Sequence, residues 1–180
     1  IPERQFVTNV SKAQGVDADA LAKVRDENVR MSLELQQAFG LRREEAIKFI
    51  PSYADRGDHL VLKDTWTKGG KAREIPLRTA QQREVLDRAH QLAGRGSLIP
   101  ASRTYIQQLR VYEGHTARAG LSKLHGLRHA YAQQRYLDLT GRACPAAGGL
   151  RADQLDGAQK ALDTAARLTI SLELGHEREQ

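Results

Sequence analysis

Apolar positions recur at helical spacing along most of the chain. Leu21, Val24, Met31, Leu35 and Ala38 form one stripe. Asp17 or Asp19 is placed to cap a helix running to about Phe39, and Gly40 to close it. A second short helix is expected from Leu41 to Ile50. Pro51 ends it, because the residue before proline avoids the helical region. The period then changes: His59-Leu-Val-Leu-Lys-Asp-Thr-Trp66 reads as a strand, and Arg73-Glu-Ile-Pro-Leu77 as its antiparallel partner. Between them Lys68-Gly-Gly-Lys71 supplies a turn whose glycines are free to take positive φ. Helical spacing returns after Thr79, which with Gln82 has the capping-box pattern for a helix to about Ala93. Gly94 to Ser97 reads as a loop. Ser102 is placed to cap a helix carrying Tyr105, Ile106 and Leu109, and Ser122 one that holds His125 through Leu139. An exposed loop is expected from Gly141 to Gly149 and helix again over 152–174. The sum is a mainly α domain with one small antiparallel β-sheet, an α+β fold, with Trp66, Tyr131 and Tyr136 in its core.

Residues 1–16 have no clear period and read as a leading segment, or a linker from a preceding DNA-binding domain. Residues 17–180 are long enough for one compact core. No apolar run approaches the length needed to cross a bilayer, so no membrane partner is expected. Cys144 is the single cysteine, which excludes an internal disulfide and any zinc site built on several cysteines. It fits a reducing cytoplasm.

Charge points to a partner. The chain carries a net charge of +6, with a pI near 9.7. From Arg103 to Arg142 there are seven Arg or Lys residues against Glu113 and Asp138, so this segment holds +5 of that excess. A concentration of this kind favours a polyanion such as double-stranded DNA.

Four short segments carry chemistry jointly: Gly40-Leu-Arg42-Arg-Glu-Glu45, Thr67-Lys68-Gly-Gly-Lys71-Ala-Arg73-Glu-Ile-Pro76-Leu77, His125-Gly-Leu-Arg128-His129, and Leu174-Gly175-His176. Their order and spacing resemble the tyrosine recombinase (phage integrase) family over about residues 17–180. The resemblance implies that family's catalytic-domain fold. It also implies that Arg42, Lys68, His125, Arg128 and His176 are the catalytic set, with Glu45 and His129 supporting them. The family's nucleophilic tyrosine is expected about nine residues beyond His176, near position 185. The tyrosines at 53, 105, 112, 131 and 136 all precede His176. The chain as given is therefore expected to bind DNA without cleaving it. The resemblance further implies a homotetramer on DNA for the full-length protein, a monomer when this chain is free, and location with the bacterial nucleoid in the cytoplasm.

The residue types suit phosphoryl transfer. Two guanidinium groups, Arg42 and Arg128, match the non-bridging oxygens where negative charge grows. A lysine on a hairpin tip, Lys68 with Lys71 as its competitor, is placed to protonate a leaving 5′ oxygen. His125 and His176 are suited to donate hydrogen bonds to the phosphate or to carry a proton. A covalent phosphotyrosine conserves bond energy, so no cofactor is expected. Arg43, Lys71, Arg73, Arg103 and Arg110 are candidates for phosphate contacts. His125 and His129 have metal-ligand spacing, but no Glu stands between them in the zinc-protease pattern, and no metal is expected. Two other functions fit less of the pattern. A DNA-binding regulator without catalysis has no need of the full set, and a basic helical protein that binds no DNA leaves the motifs unexplained.

Overall fold

The computed structural model describes residue 16 and residues 18–176. Its elements are helices α1 (Ala18–Ala22), α2 (Glu27–Phe39), α3 (Arg43–Lys48) and α4 (Pro51–Ala54), strands β1 (His59–Leu62) and β2 (Arg73–Pro76), and helices α5 (Ala80–Ala93), α6 (Tyr105–Arg118), α7 (Gly126–Thr140) and α8 (Gly157–Leu174). The architecture is the expected α+β one: mainly helix, with one two-stranded antiparallel sheet. Among the described residues no helix is long and apolar enough to cross a membrane. The expected leading segment lies almost wholly outside the described residues.

Helix α2 is the axis of the domain and packs against α3, α5, α6 and α7. Met31, Leu35 and Phe39, at i, i+4 and i+8, face the larger core with Leu60, Leu62, Ile75, Leu86 and Tyr131. Val29 and Leu33 face a smaller cluster with Ile47, Tyr112 and Leu127. Burying each such side chain contributes about 1.5–3 kcal/mol, so a helix buried on two faces holds both halves of the molecule. Trp66, Tyr131 and Tyr136 are buried, as expected.

The hairpin register pairs Leu60 with Ile75 and Leu62 with Arg73. Side chains on a strand alternate between faces. Leu60, Leu62, Arg73 and Ile75 therefore share the buried face, and Arg73 points inward.

The boundaries differ from expectation in six places, each with a local cause. The helix expected to reach Ile50 ends at Lys48, and Pro51 opens the short α4, since proline suits the first helical position. One helix from position 17 or 19 to Phe39 is two, because Asp26 caps α2: its side chain accepts the Val29 N–H at 2.9 Å. The first strand ends at Leu62, and Asp64–Trp66 forms a single 3-10 turn. Helix α6 is capped by Thr104, which forms a capping box with Gln107, rather than by Ser102. Ser122 caps nothing in α7, which starts after His125, since Lys123 has a φ of 53° that interrupts helical geometry. Residues 152–154 form a separate 3-10 turn, and Asp156 caps α8. The 141–149 loop is also more anchored than expected: residues 142–146 are half-buried and Cys144 packs on the core.

Candidate active site

The site is built where three chain ends meet. Gly40 closes α2 in the left-handed region at φ +68°, and a Cβ there would stand 2.8 Å from the Tyr131 ring. Only glycine allows this approach of α2 to α7. It leaves the Gly40 carbonyl facing Arg128, in the first turn of α7. Arg128 donates Nε to Gly40 O at 2.8 Å and Nη2 to Leu174 O. Those carbonyls close α2 and α8. Helix C-termini carry partial negative charge, so a guanidinium placed between two of them is doubly favoured. Burial pushes its pKa down to about 9, with Arg42 and Arg73 adding to the effect.

Arg42 starts α3. Its backbone N–H donates to Glu45 Oε1 at 2.7 Å, while its Nη1 stands 3.6 Å from Oε2. Glu45 is fully buried. Arg73 engages it through both terminal nitrogens and donates Nε to Glu173 O at 2.7 Å. The chain then turns at Gly175, φ +75°, where a Cβ would stand 2.9 Å from Arg73 Cδ and 3.2 Å from Arg42 Nη1. This turn delivers His176 to the arginines.

The resulting electrostatics are one-sided. His176 is held down to about 4 by burial first, then by Arg128, Arg42, Arg73 and His125. His125, more exposed, is lowered by partial burial and then by Arg128 and Arg42. Arg42 is lowered by burial foremost. Two buried nitrogens, Arg42 Nη1 and His176 Nδ1, have no hydrogen-bond partner among the described residues. Arg42, His125, Arg128 and His176 thus converge on one place. The geometry there calls for an acceptor with negative charge.

Residues 3–134 match the family described as Integrase. The chain belongs to the integrase family. Its role at the family level is in DNA recombination and integration. The matched span includes the first three motifs and stops short of Leu174-Gly175-His176. No curated protein matches the chain.

The remaining candidates of this integrase domain fall elsewhere. Lys68 and Lys71 are exposed on the hairpin turn. Lys68 is not among the charges acting on His125, Arg128 or His176. Arg43 is exposed and 3.5 Å from Glu113. Arg103 bonds Gln108 at 3.1 Å and lies 3.7 Å from Asp26. Arg110 is exposed on α6. Arg73 is the departure from expectation: its side chain is 5% exposed and its nitrogens face Glu45 and Glu173, so it presents no surface to a phosphate. The signal was available, since alternation along Arg73-Glu-Ile75 puts Arg73 on the apolar face. His129 is half-buried, with its ring 5.5 Å from that of His125 in an edge-on contact.

Three of the five tyrosines are spent on the core. Tyr112, Tyr131 and Tyr136 donate to Gln36, Glu173 and Asp163, and burial raises each phenol pKa. A phenol pushed in that direction is a poor nucleophile. Beside the site, His125, Arg128 and His176 also line a cavity of about 710 Å³ between α7, α8 and the 144–153 segment.

Proposed function

We propose that this integrase domain is the catalytic domain of a tyrosine recombinase, with Arg42, His125, Arg128 and His176 cradling a phosphodiester of double-stranded DNA. The observation that carries the reading is the convergence of two arginines and two histidines around Arg42 Nη1 and His176 Nδ1, buried nitrogens with no hydrogen-bond partner among the described residues. A phosphodiester supplies both the acceptors and the charge. In the transition state its non-bridging oxygens gain charge, and fixed donors stabilise that gain without reorganising.

In the proposed reaction a tyrosine phenolate oxygen attacks phosphorus, the bond from phosphorus to the 5′ oxygen breaks, and a 3′-phosphotyrosine forms. The 5′ oxygen leaves with a proton from Lys68, which the hairpin brings to DNA from its exposed position. The tyrosine is the one that the family pattern places near position 185. The released 5′ hydroxyl of a second strand reverses the step, so the exchange runs without cofactor. Arg43, Lys71 and Arg110 extend the contact along the DNA backbone, Arg103 more weakly because it is paired. A homotetramer assembled on DNA, from monomers when free, completes the proposal.

Two measurements test it. Duplex binding by this chain is expected to weaken steeply between low and moderate salt, following counterion release; a flat dependence removes the electrostatic argument. A version extended past Gln180 is expected to form a denaturation-resistant adduct on nicked suicide DNA. The chain ending at Gln180 is expected to form none, and an adduct there would place the nucleophile among the five tyrosines present.

A further inference from the structure

A fully buried carboxylate must be matched by a cation. Glu45 has two guanidinium groups within reach, and the geometry divides them unequally. Arg73 takes both carboxylate oxygens, with Nη2 donating to Oε1 at 2.7 Å and Nη1 to Oε2. Arg42 gives Glu45 its backbone N–H as a hydrogen bond and its guanidinium only as a longer ion-pair contact. Its own Nη1 stays 3.6 Å from Oε2, too far for a hydrogen bond, and has no acceptor among the described residues.

We propose that Arg73 is a positioning residue: by occupying both oxygens of Glu45 it keeps that carboxylate from closing on Arg42, and so holds the Arg42 guanidinium open for the phosphate. The proposal rests on the phosphodiester reading given above and assigns Arg73 a role that its burial denies it as a direct contact. Without Arg73, Glu45 is left buried beside one cation only. Closing the gap to Arg42 takes less than about 1 Å to reach hydrogen-bond distance. The ion pair would then become a hydrogen-bonded one that satisfies Arg42 Nη1 internally, and the site would lose one of its two forked donors.

The same side chain fixes a second part of the cradle. Its Nε holds the Glu173 carbonyl, and Gly175 lies directly on its stem, closer than any side chain would allow. Glu173 is itself held by the Tyr131 hydroxyl at 3.1 Å and by Arg135 Nε at 2.9 Å. Arg73 thus spans the hairpin, the start of α3 and the turn that carries His176. Lysine cannot do this, having one nitrogen where three are used.

The test titrates inorganic phosphate against the Arg42 Nε–H and His176 ring resonances at neutral pH, in the chain as it stands and in four variants. Thermal melting reports folding in parallel. Arg73→Met is expected to weaken phosphate binding about tenfold or more, the loss of a charge-assisted hydrogen bond. Adding Glu45→Gln to it removes the carboxylate that captures Arg42, and is expected to restore most of that affinity. Glu45→Gln alone is expected to bind at least as well as the unaltered chain, and Arg73→Lys to fall between. A merely structural role predicts instead that affinity follows the melting temperature through the series. Unchanged affinity in a folded Arg73→Met, or no recovery in a folded double variant, overturns the proposal. Should Arg73→Met not fold, the comparison rests on Glu45→Gln and Arg73→Lys, and a folded Glu45→Gln that cannot bind phosphate overturns it equally. If the unaltered chain shows no response at Arg42 or His176, the phosphodiester reading itself has failed, which is a different result.

Discussion

Arg128 donates its Nε to the carbonyl of Gly40 at 2.8 Å, across 88 residues of chain. A residue proposed to hold substrate is therefore also a tie between α2 and α7. Arg128→Ala leaves the Gly40 and Leu174 carbonyls buried without a donor, at roughly 1–3 kcal/mol for each unsatisfied group. The urea midpoint is expected to fall by a corresponding amount. Arg128→Lys is expected to fall as well, since one ammonium replaces a fork that reaches two carbonyls in different directions. An unchanged midpoint in Arg128→Ala would show that these bonds do not hold the fold.

Gly40 and Gly141 separate backbone strain from packing. Both close a helix at positive φ, but a Cβ at Gly141 meets nothing within 4 Å, while one at Gly40 overlaps Tyr131 and Leu174. Gly141→Ala is expected to lose only the conformational preference, about 1 kcal/mol. Gly40→Ala adds an overlap in a filled interior and is expected to cost about 1–3 kcal/mol more. Equal losses in paired denaturation curves would contradict the close approach of α2 to α7.

His176 links the site to pH. Its folded pKa is about 4, below the ordinary value of about 6.5, so the folded chain binds this proton less readily than the unfolded chain. The stability tied to its neutral form is complete above pH ~6.5 and declines as pH falls toward 4. The His176 ring resonance is expected to titrate near 4 in the free chain and to move upward when phosphate binds, because the anion favours the imidazolium. Phosphate affinity should then rise as pH drops through that window. A His176 titration unmoved by saturating phosphate would remove the histidine from the anion site.

Lys68 tests whether catalysis and folding are separable here. It is exposed on the hairpin turn. Lys68→Ala is expected to leave the melting temperature unchanged. In a version carrying the expected tyrosine it should slow strand cleavage by about 10²–10⁴-fold, the usual range for a lost general acid. Suicide DNA with a better leaving group at the 5′ position should recover much of that loss. If it does not, Lys71 becomes the candidate acid.

Local signals in the sequence located most elements. The hairpin is plain from its change of period, α5 from its Thr79–Gln82 box, and the end of α2 from Gly40. Failures came where a stripe ran on past a better local cap. Leu21 and Val24 continue the spacing of Met31 and Leu35, which hid the break that Asp26 makes. Thr104 and Gln107 carried the capping pattern that Ser102 lacks. In the site, Arg42, His125, Arg128 and His176 were legible as motifs because each sits on a short, recognisable turn. Arg73 was read by its charge and missed by its partner: Glu45 lies 28 residues away, and no local spacing records an ion pair that only the hairpin register creates. Glu173 escapes the sequence for the same reason, since Arg73, Tyr131 and Arg135 reach it from 100, 42 and 38 residues away.

The bond from Arg73 to the Glu173 carbonyl spans 100 residues, and the bond from Arg128 to the Leu174 carbonyl spans 46. Both wait for the last described helix. Contacts of such long separation form late, because the loop between them must close first. During synthesis the first three motifs emerge and fold around α2 while nothing yet covers their buried guanidinium groups. The anion site is therefore complete only once α8 has docked and its last carbonyls have met Arg73 and Arg128.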